Sequence, residues 1–266
     1  MLSIGAQRAV RAWTVLVLLF LYAPLLLVVI NAFNRSRTFA FPPTGFTLQW
    51  WADAAGSDAM WRSLANSAVV GLGATMIALA LGTMASFAVQ RYDFFGKHVI
   101  SLLVVLPITL PGIVTGIALN ATFTSALGIT LGLATVIIGH ATFCIVIVFN
   151  NSQARLRRLG TDLDDASADL GATPWQTFRY VTFPMMRGAL FAGAILAFAL
   201  SFDEIVVTTF TAGPTVQTLP IWIFGNLFRP NQAPVINVVA AALTIVAIIP
   251  VWLAQRFGGD PASTRV

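Results

Sequence analysis

Residues 98–154 read HVISLLVVLPITLPGIVTGIALNATFTSALGITLGLATVIIGHATFCIVIVFNNSQA, without one Lys, Arg, Asp or Glu. A helix needs about 20 predominantly apolar residues to cross the hydrocarbon core of a bilayer. This stretch is therefore too long for one spanning helix, but it fits two that are joined by a short turn. The polar, glycine-containing segment 122–128 is the natural turn, so we predict membrane spans at about 98–121 and 129–150.

The composition of the whole chain supports the same class. Of its 266 residues, 58% are hydrophobic and only 9% are charged, whereas a soluble globular domain has about 25% charged residues. The apolar runs are long and continuous, which favours helical spans over the short alternating segments of an outer-membrane barrel. A single cysteine, Cys144, excludes an internal disulfide. Together with only two histidines it provides no zinc or iron–sulfur spacing, so no metal site is expected.

Further apolar runs predict four more spans, at about 12–32, 64–89, 185–210 and 235–255. The first is favoured as an uncleaved span, because its apolar run is longer than the core of a signal peptide. Eleven Lys and Arg residues fall on one predicted side and four on the other, which places both termini in the cytoplasm by the positive-inside rule. We therefore predict an all-α membrane protein with six transmembrane helices and one transmembrane domain, residues 1–266.

Two segments within this plan carry local signals. Pro107 and Pro111 lie inside the third predicted span, where each removes a backbone donor and breaks or kinks a helix. A kink beside a transport path and ordinary packing are both compatible with that pattern. In the outward segment 33–62, residues 46–51 predict a short interfacial helix, because they combine Phe46 with the Trp50–Trp51 pair.

The predicted cytoplasmic loop 155–184 lies between the fourth and fifth spans. Thr161 is a good N-cap residue for a short helix. The first turn carries three acidic residues that the helix dipole favours, Asp162, Asp164 and Asp165. Gly171 then ends that helix, and Thr173 caps a second one with Pro174 at its first position. The loop thus predicts a helix, a glycine turn and another helix.

Small and apolar residues give this loop the character of a contact surface. Its apolar anchors for another protein are Leu163, Leu170, Trp175 and Phe178. A loop that merely connects two spans would not need paired caps and anchors. Periodicity alone nevertheless leaves both interpretations open.

The run Asp165-Ala166-Ser167, followed by Gly171 and then Val181-Thr182-Phe183-Pro184, keeps the spacing of a known motif. It resembles the EAA loop of ABC importer permeases, which reads Glu-Ala-Ala, three residues, Gly, nine residues, Ile-x-Leu-Pro. This chain has Asp for Glu, Ser for the second Ala, Val for Ile and Phe for Leu. In that family the loop inserts into a groove of the nucleotide-binding subunit and transmits its closure. The resemblance implies this role for Asp165, Ala166, Ser167, Gly171, Phe183 and Pro184.

The chain has no phosphate-binding loop of its own. Its only lysine, Lys97, is followed by His98 without the required glycine spacing. The resemblance therefore implies a type I ABC importer permease of a bacterial inner membrane, with a second permease subunit, two ATPase subunits and an external substrate-binding protein. ATP and Mg²⁺ are expected on the ATPase. This chain is expected to be non-enzymatic, with no cofactor and no nucleic-acid partner.

Asp203 and Glu204 lie in the fifth predicted span and interrupt an otherwise uncharged run from Gly188 to Phe228. A carboxylate at the bilayer centre costs on the order of 2.5–3.5 kcal/mol and usually faces a cavity, a partner or a substrate. On a continuous helix Glu204 shares a small, polar face with Ser201 and Thr208, whereas Asp203 lies on a more apolar face. We expect these four residues at the substrate path, with Glu204 favoured toward it. A salt bridge to Arg229 or to another subunit is the alternative.

Residues 200–213 place valines, hydroxyl residues and Gly213 after the Ser-Phe-Asp-Glu run. They resemble the fifth-span region of spermidine/putrescine permeases, and residues 219–222 and 237–242 also fit. The resemblance implies polyamine transport, which suits carboxylates because ammonium groups out of water need anionic partners. Related subunits move ferric iron, thiamine or other small solutes. An ion-gradient carrier is a different class that would not need the cytoplasmic loop, and no catalytic constellation supports an intramembrane enzyme.

Overall fold

The computed structural model describes residues 3–38, 41–229 and 231–258, so both ends of the predicted domain 1–266 lie outside the described residues. Within these ranges the chain is helical apart from turns and one isolated bridge between Asn34 and Phe46. The helices are α1 (Ile4–Asn31), α2 (Gln49–Ala55), α3 (Asp58–Arg91), α4 (Lys97–Thr109), α5 (Gly112–Ala121), α6 (Leu133–Leu159), α7 (Asp162–Asp169), α8 (Pro174–Thr177), α9 (Phe183–Phe202), α10 (Val206–Thr211), α11 (Leu219–Leu227) and α12 (Ala233–Gly258).

Four helices among the described residues are long and apolar enough to cross a membrane. They are α1, α3, α6 and the helix Pro174–Phe202, which joins α8 to α9. The bent pair α4 and α5 is a fifth if it is one span, and α12 contains a shorter apolar stretch, Ala233–Ile249. The all-helical class is confirmed, while the count of six spans stays a prediction.

The third predicted span, 98–121, is broken in two, as the prolines inside it predict. Helix α4 ends at Thr109 and α5 begins at Gly112, with an angle of 105° between them. Pro111 precedes α5, and Leu110 before it is extended with φ −79° and ψ 142°. A proline disfavours the helical conformation of the residue before it, which explains the break at this point. Pro107, by contrast, lies within α4.

The fourth predicted span begins and ends later than expected. A π-helical turn, Thr122–Ala126, extends α5 through most of the predicted turn. The chain then reverses at Gly128, whose φ of +65° favours glycine. Helix α6 runs from Leu133 to Leu159, so residues 155–159, predicted as the start of the cytoplasmic loop, belong to a helix.

The fifth predicted span, 185–210, is wrong as a continuous helix. Helix α9 ends at Phe202, and α10 resumes at Val206 after three non-helical residues. Upstream, the predicted second loop helix is not separate, because α8 passes through the π-helical stretch Phe178–Thr182 directly into α9. Pro184 lacks the N–H that a regular helix needs there, and π adjustments accommodate such prolines.

The first of two compact units comprises the described residues up to Trp61 and those from Ile223 to Ile249. The fully buried Asn34 organises the chain after α1: its carbonyl accepts the indole N–H of Trp50 at 2.9 Å. Its side-chain oxygen accepts the backbone N–H groups of Ser36 and Thr44. The short outward helix is α2, which begins at Gln49, three residues later than predicted.

The second unit runs from Arg62 to Trp222 and also includes residues 250–258. Its core consists largely of small residues from α3, α6, α9 and α10, namely Ala74, Ala78, Ala141, Cys144, Val148, Ala197 and Val207, with Phe143. The close approach is clearest at Gly82, where an added Cβ would lie 2.9 Å from the carbonyl oxygen of Ile145. Small residues permit such contact between spanning helices, and both candidate sites below belong to this unit.

Candidate functional site

The acidic helix of the predicted cytoplasmic loop forms as expected. Helix α7 covers Asp162–Asp169 and carries its three acidic residues in the first turn. The side chain of Thr161 makes no capping hydrogen bond, so its predicted capping role is wrong. Gly171, with φ +79°, ends the helix. Its N–H donates to Ala168 and the next N–H donates to Ser167, which is a Schellman motif.

The start of the second helix is a reciprocal cap. The hydroxyl of Thr173 accepts the N–H of Gln176 at 3.4 Å, and the Gln176 side chain accepts the N–H of Thr173 at 2.7 Å. Pro174 occupies the first helical position. The Thr173 and Pro174 predictions are confirmed. The hydroxyls of Ser167 and Thr177 are 2.9 Å apart and connect α7 to α8.

Asp164 fastens α7 to two long helices. One carboxylate oxygen is 2.8 Å from Nη2 of Arg91, the last residue of α3. The other accepts the hydroxyl of the buried Thr182 at 3.0 Å, at the end of the π-helical stretch before α9. Arg91 also donates to the carbonyl of Gly160, which directly follows α6. The sequence analysis did not predict these contacts of Asp164. A signal was available, because Asp164 lies in the first turn of a helix and Arg91 in the last turn of another, where the helix dipole favours acidic and basic residues respectively.

Some residues of the EAA-like motif are exposed and others are half-buried. Asp165, Ala166 and Gly171 are exposed, whereas Ser167 is half-buried beside Thr177. Phe183 is exposed at the start of α9, and Pro184 is half-buried. The structure therefore places the first part of the motif on the outside of α7 and the last part on the helix that follows.

Two apolar side chains stand out on this surface. Leu170 is 89% exposed and Trp175 is 68% exposed, on either side of the Gly171 turn. Large apolar groups left in contact with solvent beside polar residues mark interaction sites. Phe178, predicted as another anchor, is instead half-buried: its ring packs edge-on against Phe87 of α3 with 5.5 Å between centroids.

The second candidate site lies at the break between α9 and α10. The carboxylate of Glu204 accepts the N–H of Val207 at 2.9 Å, and its carbonyl accepts the hydroxyl of Thr208 at 2.8 Å. Because Glu204 lies between α9 and α10 and not on a continuous helix, the helical-face argument does not apply to it. Glu204 is half-buried and Asp203 is exposed. Within the described part of this unit, neither takes part in an ion pair.

Ser201 and Thr208 are brought together, but around a histidine. His140 of α6 is fully buried, and its Nδ1 lies 2.8 Å from the Ser201 hydroxyl. Its Nε2 lies 2.8 Å from the Thr208 hydroxyl. Sequence reasoning considered His140 only as a metal ligand and missed this role. A polar ring in the middle of an uncharged run was the available signal.

Two further side-chain hydrogen bonds stabilise the C-terminal end of α10. The Asn120 amide donates to the carbonyl of Phe210 at 2.7 Å, and the Thr135 hydroxyl donates to the carbonyl of Thr211 at 2.7 Å. These carbonyls have no partner within so short a helix, so the side chains of α5 and α6 satisfy them. Among the described residues, no group of three or more His, Cys, Asp or Glu is placed to hold a metal ion.

Comparison with known proteins identifies the family. Residues 78–257 match the family described as "Binding-protein-dependent transport system inner membrane component". The chain belongs to this family of membrane permeases. The sequence-based recognition of an ABC importer permease is thereby confirmed, and the EAA-like loop lies within the matched region.

The permease is 33% identical over 258 residues to the putrescine transport system permease protein PotI of Escherichia coli (strain K12). That alignment covers 92% of this chain and 91% of PotI. It is 30% identical over 241 residues to the spermidine/putrescine transport system permease protein PotC of the same organism, covering 91% and 90% of the two chains.

Solved structures confirm the fold of the permease. A chain of a bacterial ABC transporter involved in the import of the acidic polysaccharide alginate matches with a TM-score of 0.73 and 14% identity, over 97% of this chain and 99% of that one. A chain of the MetNI methionine ABC transporter matches with a TM-score of 0.60 and 20% identity, over 77% and 94%. At these identities the likeness shows the fold of an ABC importer permease and nothing about the solute.

Proposed function

We propose that this permease forms the transmembrane path of an ATP-driven polyamine importer. The observation that carries the proposal is its relationship to PotI and PotC, which are named for putrescine and for spermidine and putrescine. Both relationships extend over more than nine tenths of the chain, so they include both candidate sites. Glu204 and Asp203 supply negative charge where cationic amines would leave bulk water.

The proposed coupling surface comprises the exposed motif residues of α7, the Gly171 turn, and the side chains of Leu170 and Trp175. We place a separate ATPase subunit on it, with ATP and Mg²⁺ bound by that subunit. Exposure of two large apolar groups supports this role. The complex further comprises a second permease subunit and an external binding protein. Both termini and the coupling surface lie on the cytoplasmic side of the inner membrane.

Asp164 suggests how movement of the ATPase reaches the path. Because its carboxylate contacts both Arg91 and Thr182, displacement of α7 acts on α3 and on the helix that leads to the break at Asp203. Chemistry takes place in the ATPase. The permease contributes alternating access, in which the two permease subunits open to one side of the membrane at a time.

The carboxylate of Glu204 suits binding of an ammonium group. An ionised carboxylate has about four acceptor positions, and the N–H of Val207 occupies one of them. The remaining capacity can serve a cation without dismantling α10. Asp203, exposed one residue earlier, adds a second negative charge for a molecule with several ammonium groups.

A second solute class has a specific relative. The permease is 27% identical over 260 residues to a putative 2-aminoethylphosphonate transport system permease protein, PhnV, of Salmonella choleraesuis (strain SC-B67). 2-Aminoethylphosphonate carries a phosphonate anion beside its ammonium group, and two carboxylates would repel that anion. A polyamine carries positive charge alone, which favours the polyamine proposal.

The decisive experiment combines assembly with substrate response. The permease is co-expressed with its candidate second permease and ATPase, purified, and reconstituted with the binding protein. ATPase activity is measured with putrescine, spermidine and 2-aminoethylphosphonate. We expect stimulation by one or both polyamines and none by the phosphonate. Failure of the ATPase to co-purify would refute the coupling proposal, and stimulation by the phosphonate alone would refute the polyamine proposal.

A further inference from the structure

We propose that His140 is a positioning residue: as a neutral imidazole with its proton on Nε2, it joins the two halves of the broken fifth helix and sets the position of Glu204. The part of this inference that concerns transport rests on the proposed function of Glu204. The part that concerns the helix break rests on geometry alone.

The imidazole reaches both sides of the break. Ser201 lies in the last turn of α9 and Thr208 lies in α10, and each hydroxyl is 2.8 Å from a different ring nitrogen of His140. All three side chains are buried, with exposures of 0%, 3% and 0% for His140, Ser201 and Thr208. One ring on α6 therefore connects the two helices across the break, where the regular series of backbone hydrogen bonds is interrupted.

The direction of each hydrogen bond follows from counting hydrogens. The Thr208 hydroxyl has one hydrogen, which it donates to the carbonyl of Glu204 at 2.8 Å. Its oxygen must therefore accept a hydrogen from Nε2 of His140. A neutral imidazole with its proton on Nε2 has a lone pair on Nδ1, so Ser201 donates to that nitrogen. The result is a directed series from Ser201 through His140 and Thr208 to Glu204.

Glu204 is the end point of this series and is held twice. Thr208 fixes its carbonyl, while its carboxylate accepts the N–H of Val207. The hydrogen bonds from Asn120 and Thr135 stabilise the C-terminal end of α10. Of the three side chains that contact α10 in this way, His140 is the one that also contacts α9. Loss of the imidazole should therefore loosen the break while leaving the far end of α10 in place.

The first test measures access of water-soluble reagents to the break. The chain has one cysteine, so Cys144→Ala gives a background in which Ile205→Cys is the only thiol of the permease. Its modification by a cationic methanethiosulfonate is followed in the assembled complex as a mass increase of this chain. We expect His140→Ala and Thr208→Val each to raise the modification rate about tenfold, and Thr208→Ser, which keeps the hydroxyl, to leave it unchanged.

The combined variant His140→Ala/Thr208→Val should show no increase beyond either single variant, because both remove the same link. Additive effects, or an unchanged rate in His140→Ala, would overturn the inference. If the His140→Ala complex is not recovered, Ser201→Ala and Thr208→Val carry the same test with the imidazole in place, and unchanged rates in both would overturn it.

The second test separates positioning from a general structural role. In the parent protein, Glu204→Gln should reduce polyamine uptake about tenfold. In a His140→Ala background, the same substitution should reduce it less than twofold further, because Glu204 is already misplaced. A full tenfold further loss would show that His140 acts independently of Glu204. If no variant transports polyamines but the thiol results hold, the proposed function fails and the helix connection stands.

Discussion

The guanidinium of Arg91 lies 2.8 Å from the carboxylate of Asp164, and the same carboxylate accepts the hydroxyl of Thr182. The charged side chains are only 13% and 26% exposed. This pair connects the end of the long apolar helix α3 to the first turn of α7. It gives the loop a defined mechanical attachment, in addition to its outward surface.

Removal of one charge should uncouple ATP hydrolysis from transport. We expect Asp164→Asn to lower uptake per ATP hydrolysed several-fold while the complex still assembles, because the Asn side-chain oxygen can still accept hydrogen bonds although the charge is lost. Uptake and ATPase activity are measured on the same reconstituted vesicles. Asp162→Asn is the matched control, since it removes an exposed charge from the same helical turn. Partial recovery in the exchanged pair Arg91→Asp/Asp164→Arg would support a direct ionic link, and equal losses in both single Asn variants would contradict it.

The exposed apolar residues should carry affinity for the ATPase. Truncation of a buried interface aromatic commonly costs 2 kcal/mol or more, so Trp175→Ala is expected to weaken ATPase binding at least about 30-fold. Leu170→Ser should act in the same direction. Binding is measured by titration of the purified ATPase onto permease in nanodiscs. Phe95→Ala is the control, because Phe95 is fully exposed in a different loop; an equal loss there would indicate non-specific contact.

Gly171 should resist substitution for a conformational reason alone. An added Cβ would meet no atom within 4 Å, but φ is +79°. We expect Gly171→Ala to destabilise the turn by about 1–2 kcal/mol through the left-handed backbone and to lower ATPase binding in the same titration. Gly188 also has open space around it but lies within α9 with an ordinary φ. Gly188→Ala should therefore be neutral or slightly stabilising, and equal effects at both positions would refute the explanation.

Neutralising the acidic pair should impair transport without loss of structure. The amide of Glu204→Gln can still accept the N–H of Val207, so the start of α10 is preserved while the charge is lost. We expect about tenfold less polyamine uptake for Glu204→Gln and a smaller loss for Asp203→Asn, which changes an exposed group. The amount of assembled complex should not change. Uptake at the parent level in both variants would exclude these carboxylates from the path.

The features that could be predicted from the sequence are those decided by neighbouring residues. Helix α7, the Gly171 turn and the Thr173 cap each depend on side chains within about three positions of the backbone they satisfy. The family could be recognised for the same reason, because its motif lies in that local pattern. Thr161 is the exception: its type suits a cap, but its side chain does not make the bond.

The features that escaped prediction depend on competition with distant residues. Residues 200–210 have the composition of a continuous helix, yet the Glu204 side chain takes the N–H of Val207 and a break results. His140 stabilises that break from a position 61 residues before Ser201. The hydrophobic pattern of α6 or of α9, read alone, does not show that His140 contacts Ser201. The break at Pro111 was expected, because prolines inside a span break or kink its helix, but the angle of the bend depends on packing.

The uninterrupted helix from Pro174 to Phe202 has a mechanical consequence. Its 29 residues make a rod about 43 Å long, with Trp175 near one end and Ser201 near the other. A tilt of about 10° around its midpoint moves each end about 4 Å in opposite directions, which exceeds the length of a hydrogen bond. A lever of this kind couples its two ends. One change in the tilt of the helix alters both the position of Trp175 and the hydrogen bond between Ser201 and His140.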